Sequence, residues 1–321
     1  MLSERAYARF CTQLVVCLVL TTTAVPAMAE QNLETGRNIV SRKLDSVASY
    51  IDRFFDDPVE RTDSAGTLLR VRQRVTTSRH DETEFKTRVS ARLYLPNLSN
   101  RFSLAFRGDD RLEPVGDGGE EQAIDGLHDA TGTPAVSLNY QPLARRYFSS
   151  NLSLGYRLKS NRFYTGARLR YRYPMSTNWR FQAVQRLRAY SDSEIDADLR
   201  FDFDRTIGER QLFRQQVLLQ WRDADDEIDD LRTTITSSFV SQLSQASALR
   251  FDWVNQFEPN SELKSSSLNF RYRRTVGYDW LFFEVAPRLS FEKEHDWSAD
   301  PGLQLSLEVV FNRNAIPVGL D

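Results

Sequence analysis

The sequence predicts an all-β protein whose strands close into an antiparallel transmembrane β-barrel of about 14 strands. Apolar and polar residues alternate from Leu69 almost to the end of the chain, and turn-forming residues separate the alternating segments. Most of these segments have about 9–13 residues, the length at which a tilted strand crosses a bilayer. A segment typical of exported proteins comes before them, so the chain also carries the leader that a barrel of this kind needs.

The first residues have the three parts of a secretory signal. Arg5 and Arg9 give a charged start, an apolar run follows at 14–20, and small residues end in Ala27-Met28-Ala29. This order predicts a signal peptide over 1–29. The alternative is an N-terminal membrane anchor, but the apolar run is far shorter than the roughly 20 residues that a spanning helix needs.

Both cysteines lie inside the predicted signal. Cys17 follows Leu14-Val15-Val16, where a lipoprotein signal would have a small residue, so lipid attachment is disfavoured. Once Cys11 and Cys17 are removed, the mature chain has no thiol for a disulfide, a thiolate metal site or a nucleophile.

The charge and hydropathy of the chain exclude two classes of protein. With 42 Lys and Arg against 44 Asp and Glu, the overall charge points to no polyanionic partner. The mean hydropathy is -0.50, and the mature chain has no apolar run of about 18 residues, so helical membrane spans are excluded. Barrel strands show lipid only every second residue, so low hydropathy is compatible with a barrel.

A short amphipathic helix is predicted within the segment 30–64, before the strands begin. Its apolar residues recur at alternating spacings of four and three, and Pro58 disfavours helix in the residue before it. The helix could be a plug, a periplasmic docking element, a self-association surface or a plain solvated helix. The apolar stripe consists of Val40, Leu44, Val47, Ile51 and Phe54.

The barrel is predicted over 65–311, followed by a C-terminal tail at 312–321. The segment 195–203 shows the pattern, since Ile195 and every second residue after it are apolar while the residues between are charged. Between about 12 and 16 strands remain compatible with the pattern, because boundaries read from a sequence err by several residues. The predicted strands are 66–77, 83–95, 101–108, 134–142, 151–159, 162–173, 178–190, 194–204, 210–222, 230–241, 247–257, 265–274, 279–292 and 301–311.

The links between strands alternate in length. Long acidic stretches such as 109–134 and 223–227 alternate with tight turns such as 96–100 and 174–178. Short periplasmic turns and longer outer loops are the bacterial pattern. The short link at Ser160-Asn161 departs from it.

A soluble β-sandwich also alternates, so other features must favour the barrel. One face stays charged along nearly a whole strand, as at Arg70, Arg72 and Arg74. Aromatic residues such as Tyr173 and Trp179 stand at strand ends, as an interfacial belt requires. A barrel is also the one β structure that leaves no unpaired strand edge in lipid.

With these features, the chain resembles Gram-negative outer-membrane β-barrels as a class. The resemblance rests on Ala27-Met28-Ala29, the alternating strands from residue 66, and the closing segment 303–311 with an aromatic at its end. It covers about the last four-fifths of the chain, although residues 312–321 follow the aromatic where the class usually stops. It implies an outer-membrane location, contact with lipid and lipopolysaccharide, and recognition by the barrel-assembly machinery.

An enzyme is not expected. Barrel-borne phospholipases are the obvious enzymatic comparison and would require a Ser–His pair on a strand, but His80, His128 and His295 all fall in predicted outer loops. The paired acidic and His–Asp site of omptin-like proteases cannot be assembled either. Solvated loop residues explain the histidines better than a metal site does, so we predict no catalytic residues, no metal and no cofactor.

Nucleic acid is not an expected partner. The run 168–173 mixes arginine with aromatic residues, a combination that can hold phosphates and stack on bases. Its strict period of two sends rings and arginines to opposite faces, so they cannot act together on one ligand.

The lumen is the predicted functional site. The segment at 194–204 is acidic and follows the arginine-rich segment at 178–190, so ion pairs are expected between these two strands. The arginines of 66–77 and 162–173 have no obvious acidic neighbour. The predicted lumen-lining residues are Arg70, Arg72, Arg74, Arg88, Arg92, Arg157, Arg168, Arg170, Arg172, Arg186, Arg188, Asp196, Asp198 and Asp202.

Two functions fit such a lumen. The charges could form a lattice of ion pairs that stiffens the wall, giving a structural or envelope-interaction barrel with a closed lumen. Alternatively they could line a channel for small anionic solutes or acidic sugars, because guanidinium groups bind carboxylate and phosphate with two hydrogen bonds. About 14 strands also enclose an interior too wide for side chains alone to fill.

Overall fold

The computed structural model describes residues 68–94, 102–107, 135–145, 147–158, 161–192, 194–222 and 230–312. These ranges do not include the predicted signal peptide, the predicted N-terminal helix, His128 or the C-terminal residues from 313.

The described residues form fourteen β-strands and one short 3-10 helix. The predicted strand number is confirmed. The elements are β1 (Leu68–Ser78), β2 (Glu84–Tyr94), β3 (Phe102–Arg107), β4 (Ala135–Ala144), β5 (Phe148–Arg157), β6 (Arg162–Pro174), β7 (Trp179–Tyr190), β8 (Ile195–Ile207), β9 (Gln211–Arg222), β10 (Asp230–Ser244), β11 (Ser247–Phe257), β12 (Leu263–Val276), β13 (Tyr278–Glu292), the 3-10 helix η1 (Lys293–His295) and β14 (Ala299–Asn312).

The fourteen strands form a closed antiparallel barrel. Each strand pairs with the next along the chain, and β14 returns to pair with β1. Val71 on β1 therefore lies opposite Val89 on β2 and opposite Val309 on β14. Closure leaves no strand with a free edge, which is what a β-structure in lipid requires.

Successive side chains along each strand alternate between the inside and the outside of the wall. On β8, Asp202 and Asp204 are buried while Phe203 between them is exposed. Leu303, Leu305 and Leu307 on β14 are likewise exposed on the outside, where two stacked sheets would have buried such residues. The soluble-sandwich alternative is therefore excluded, and the apolar exterior fits a lipid environment.

Among the described residues, no helix has the length and apolar character needed to cross a membrane.

The two ends of the barrel differ in the length of their links. At the end that holds Leu68 and Asn312, the turns are short, and Gly277 alone joins β12 to β13 with a φ of 73°. That left-handed conformation is one that glycine adopts at no steric cost. The opposite end carries longer links, including the one between β3 and β4, although the link between β5 and β6 is short, as the sequence indicated. By the bacterial pattern, the end with the short turns is periplasmic.

Aromatic side chains mark the outer face near the periplasmic end. Tyr171 and Tyr173 on β6 are exposed and stack with ring centroids 6.4 Å apart. Tyr278 stacks on Trp280 at 4.8 Å, and Trp280 lies 6.3 Å from Phe311. Amphipathic rings at this level form the interfacial belt of a membrane barrel.

On β9, some apolar side chains face the inside and one glutamine faces the outside, although the register of the strand pairing is unchanged. Leu212 and Leu218 are buried on the inner face of β9, whereas Gln215 lies on its outer face. The pairing of β9 with both neighbours is continuous at these positions, so no bulge is responsible. Gln215 is instead satisfied locally, because the Ser237 hydroxyl on β10 donates to its side-chain oxygen at 2.7 Å.

Candidate functional site

Charged side chains dominate the inner wall of the barrel. Thirteen arginines and eight carboxylates are buried in the described residues, an excess of five positive charges. The eight carboxylates all lie on β8 to β14, whereas the described parts of β1 to β7 hold eight buried arginines and no buried carboxylate. The carboxylates are Asp196, Asp198, Asp202, Asp204, Asp252, Glu284, Asp300 and Glu308.

The predicted lumen residues occupy the inward positions of their strands. Arg88, Arg168 and Arg172 are half-buried there, and Arg92 has its backbone in β2 while its side chain lies outside the described set. The buried ones are Arg70, Arg72, Arg74, Arg157, Arg170, Arg186, Arg188, Asp196, Asp198 and Asp202.

The predicted ion pairs between β7 and β8 are present. Arg180 donates to the Asp204 carboxylate at 2.5 Å, and Arg186 donates to Asp198 at 2.8 Å. Each arginine lies opposite its acidic partner in the antiparallel register. The alternation on two adjacent strands thus places opposite charges face to face.

Two of the four inward carboxylates of β8, Asp202 and Asp204, also have partners on β9. Asp204 accepts a second arginine, Arg214, at 2.7 Å. Asp202 has no solvent exposure and accepts from Arg200 at 2.6 Å, from Gln182 at 3.0 Å and from Gln216 at 3.1 Å. Buried charges are tolerated when their hydrogen-bonding capacity is met in this way.

Glu308 on β14 is the acidic partner of β1 that sequence reasoning missed. Its carboxylate lies 3.2 Å from Arg70, accepts from Arg72 at 2.5 Å and accepts from Arg273 at 2.8 Å. The expectation that the arginines of 66–77 have no acidic neighbour is therefore wrong. We call these four side chains the Glu308 cluster.

The Glu308 cluster continues onto β13 through Arg273. The Arg273 guanidinium also lies 3.6 Å from Glu284, and Arg271 lies 3.8 Å from the same carboxylate. Ionic contacts therefore run from β1 across β14 and β13 to β12, the strands around the point where the barrel closes.

Tyr190 is a further inner-wall residue that the sequence analysis did not identify. Its hydroxyl accepts a hydrogen bond from Arg157 and donates one to Asp196, both at 2.7 Å. The neighbouring Tyr164 ring lies against Gly155 on β5, where a Cβ atom would overlap the ring. Tyrosine occurs on both faces of barrel strands, so its residue type does not predict which face it occupies. Only the alternation itself, which puts positions 164 and 190 on the same faces as the inward arginines of their strands, could have predicted their inward position.

The outer end also carries exposed ion pairs. Lys293 donates to Glu262 at 2.7 Å and lies 3.5 Å from Glu258. The hydrogen bond from Lys293 lowers the pKa of the Glu262 carboxyl, and the pKa of Lys293 is raised by the same bond. Exposed pairs of this kind contribute little to stability.

The structure brings together two of the three histidines. The ring centroids of His80 and His295 lie 4.5 Å apart at the outer end. Neither ring is hydrogen-bonded to a serine in the described part of the chain, where no group of three or more His, Cys, Asp and Glu side chains is arranged to hold a metal ion.

Comparison with known proteins supports the fold at the level of structure. No protein-family model matches the sequence, and no characterised protein matches it in sequence. A loop L8 deletion mutant of OmpT, an outer-membrane protein of Vibrio cholerae, is 10% identical, with 77% of this chain and 100% of that chain covered and a TM-score of 0.51. The chain described here shares the closed β-barrel fold of that outer-membrane protein.

Two further solved barrels are less similar to this chain. OprD of Pseudomonas aeruginosa is 8% identical, with 77% of this chain and 95% of that chain covered and a TM-score of 0.42. The KdgM porin, in complex with disordered oligogalacturonate, is 6% identical, with 75% of this chain and 99% of that chain covered and a TM-score of 0.38. Only the first likeness is strong enough to support an argument, and it shows the fold alone.

Proposed function

We propose that this barrel is a channel for small anionic solutes, which pass along its arginine-rich inner wall. The observation that carries the proposal is the excess of five positive charges among the buried charged side chains of the described residues. A low-dielectric wall with one sign of charge in excess raises the local concentration of ions of the other sign. The argument depends on the balance of charge and not on whether any single arginine has a partner.

The distribution of the charge gives the wall one strongly basic side. The described parts of β1 to β7 contribute eight buried arginines and no buried carboxylate, while β8 to β14 contribute five arginines and all eight carboxylates. An anion is therefore expected to follow the β1–β7 side. Arginine suits this role because its guanidinium stays charged and binds carboxylate or phosphate with two hydrogen bonds.

Facing arginines on neighbouring strands concentrate positive charge on this side of the wall. Arg72 lies directly opposite Arg88, and Arg168 lies directly opposite Arg186. Glu308 beside Arg72 and Asp198 beside Arg186 supply nearby negative charge, without which like charges in facing positions destabilise a sheet.

A structural barrel with a closed lumen is the second candidate. The dense ion-pair network around Asp202 and Asp204 favours it, because these carboxylates are almost fully buried among side chains of three strands. We propose no enzymatic activity, and lipase and protease assays on the refolded protein would test that proposal.

Selectivity measurements in planar bilayers test the channel. Under a KCl gradient, the refolded protein is expected to conduct and to show a reversal potential that favours chloride. The double variant Arg88→Gln/Arg168→Gln is expected to lower the chloride-to-potassium permeability ratio by at least about twofold, because it removes two positive charges from the basic side.

The matched control is Arg205→Gln. Arg205 lies on the outer face of β8 with its guanidinium 5.4 Å from the Trp179 ring, so its loss is expected to leave the ratio unchanged. A cation-selective pore would contradict the proposal. A folded barrel without conductance would favour the closed structural barrel.

A further inference from the structure

His80 and His295 meet at the outer end of the barrel although more than two hundred residues separate them in the sequence. His80 lies in the link between β1 and β2, and His295 ends η1 between β13 and β14. Their ring centroids are 4.5 Å apart and their planes are inclined by 34°. The meeting is a result of barrel closure, since β1 pairs with β14 and β14 with β13.

The backbone around His80 is held in place by Asp300, the second residue of β14. One Asp300 carboxylate oxygen accepts the backbone N–H of Arg79 at 2.8 Å and that of His80 at 3.1 Å. The same oxygen lies 3.8 Å from Nδ1 of the His80 ring. The Ser78 hydroxyl and Asp81 close the turn with a hydrogen bond of 3.1 Å.

The loop that carries His295 is fixed in a comparable way. The backbone N–H of Trp297 donates to the Glu292 carbonyl at 3.0 Å, and Lys293 forms ion pairs with Glu258 and Glu262 on the neighbouring link. Nδ1 of His295 lies 3.6 Å from the Glu292 carboxylate.

Two consecutive residues after His295 have left-handed backbone conformations. Asp296 has a φ of 52°, and Trp297 has a φ of 58°. A bulky residue rarely adopts this conformation, which persists only where the surroundings impose it and which is concentrated at functional sites.

We propose that His80 and His295 together bind one divalent transition-metal ion, such as Zn²⁺, with water completing the coordination. Imidazole is a preferred ligand of Zn²⁺, Cu²⁺ and Ni²⁺. A carboxylate oxygen lies 3.8 Å from Nδ1 of His80 and 3.6 Å from Nδ1 of His295, so negative charge beside both rings favours a bound cation. The His80 side chain is 23% exposed and that of His295 is 45% exposed, so an ion can reach both from solution.

Two protein ligands make this an exchangeable site. A metal bound there ties the β1–β2 link to the β13–β14 link, across the strands where the barrel closes. Because a ligand that binds only the folded state stabilises it, Zn²⁺ is expected to slow or oppose opening at this closure.

Zn²⁺ titration of the refolded full chain, with Cys11→Ser and Cys17→Ser to remove competing thiol ligands, against a fluorescent chelator tests the site. His80→Ala and His295→Ala are each expected to weaken Zn²⁺ binding by at least about tenfold. His128→Ala is the control and is expected to bind like the unchanged protein. Circular dichroism of each variant verifies that the barrel has folded.

The electron paramagnetic resonance spectrum of bound Cu²⁺ gives an independent readout. Splitting by two imidazole nitrogens is expected in the unchanged protein, and by one in either single variant. Zn²⁺ affinity that is unchanged in His80→Ala and His295→Ala, or that falls only in His128→Ala, would overturn the proposal.

Discussion

Glu308→Ala is expected to destabilise the barrel by about 3–5 kcal/mol, the range observed when one partner of a buried ion pair is removed. The Glu308 carboxylate is 2% exposed and is in contact with Arg70, Arg72 and Arg273. Its loss leaves three guanidinium groups close together without the negative charge between them. Because Glu308 lies where β1 pairs with β14, its loss weakens the contact that closes the barrel.

Urea unfolding of the refolded protein in detergent micelles or lipid vesicles measures this effect. Glu262→Gln is the matched control, because it removes an equally short ion pair, with Lys293, at an exposed position. No measurable change is expected there, since exposed pairs are screened by solvent. Equal stability of Glu308→Ala and Glu262→Gln would contradict the account of the Glu308 cluster.

Leu305→Arg is expected to cost about 2–4 kcal/mol, because it places a charge on the lipid-facing side near the middle of a membrane strand. Leu305 lies halfway along β14, and its side chain is 38% exposed on the outer face. In a soluble protein, an arginine at such an exposed position would change stability little.

The depth of the substitution provides the control for Leu305→Arg. Leu69 is equally exposed on the outer face but lies at the periplasmic end of β1, opposite Phe311. Leu69→Arg is expected to cost only about 0–1 kcal/mol, because the arginine reaches the interface. Unfolding in vesicles of defined lipid composition measures both. A penalty of the same size at the two positions would argue against the membrane span.

Strand positions could be predicted from sequence because alternation is a local property. The predicted strand 178–190 corresponds to Trp179–Tyr190, and 247–257 corresponds to Ser247–Phe257. The one strand displaced as a whole by two to three residues is β5, predicted at 151–159 and found at Phe148–Arg157. After Phe148, the residues Ser149, Ser150 and Asn151 are all polar and give no alternation to detect.

The partners of the inner-wall charges were predictable only between strands that follow one another in the chain. Arg186 and Asp198 are twelve positions apart on consecutive strands, and their pairing was expected. Arg72 and Glu308 are 236 positions apart, and they meet only because the barrel closes between β1 and β14. Closure depends on the number and stagger of all strands together, which no single segment encodes.

Exceptions to the alternation could not be interpreted from sequence alone. A glutamine such as Gln215 on the outside or a leucine such as Leu218 on the inside can mark a bulge, but the pairing is continuous there. Gln215 is accommodated by a neighbour on the next strand, Ser237. A cross-strand partner of this kind becomes visible only once the register is known.

Spin-label scanning along β10 tests most directly the claim that alternate side chains face lipid and lumen. Both natural cysteines, Cys11 and Cys17, fall in the predicted signal, so the mature chain offers a cysteine-free background. Single cysteines are placed at six consecutive positions and labelled with a nitroxide, and collisions with oxygen dissolved in the bilayer are measured. The positions are Thr234, Ile235, Thr236, Ser237, Ser238 and Phe239.

The expected result is strict alternation along β10. Collision rates should be high at Ile235, Ser237 and Phe239, whose side chains lie on the outer face, and low at the three buried positions between them. Collision rates that do not alternate, or that are low at all six positions, would contradict the membrane-spanning barrel and the inner wall on which the proposed function rests.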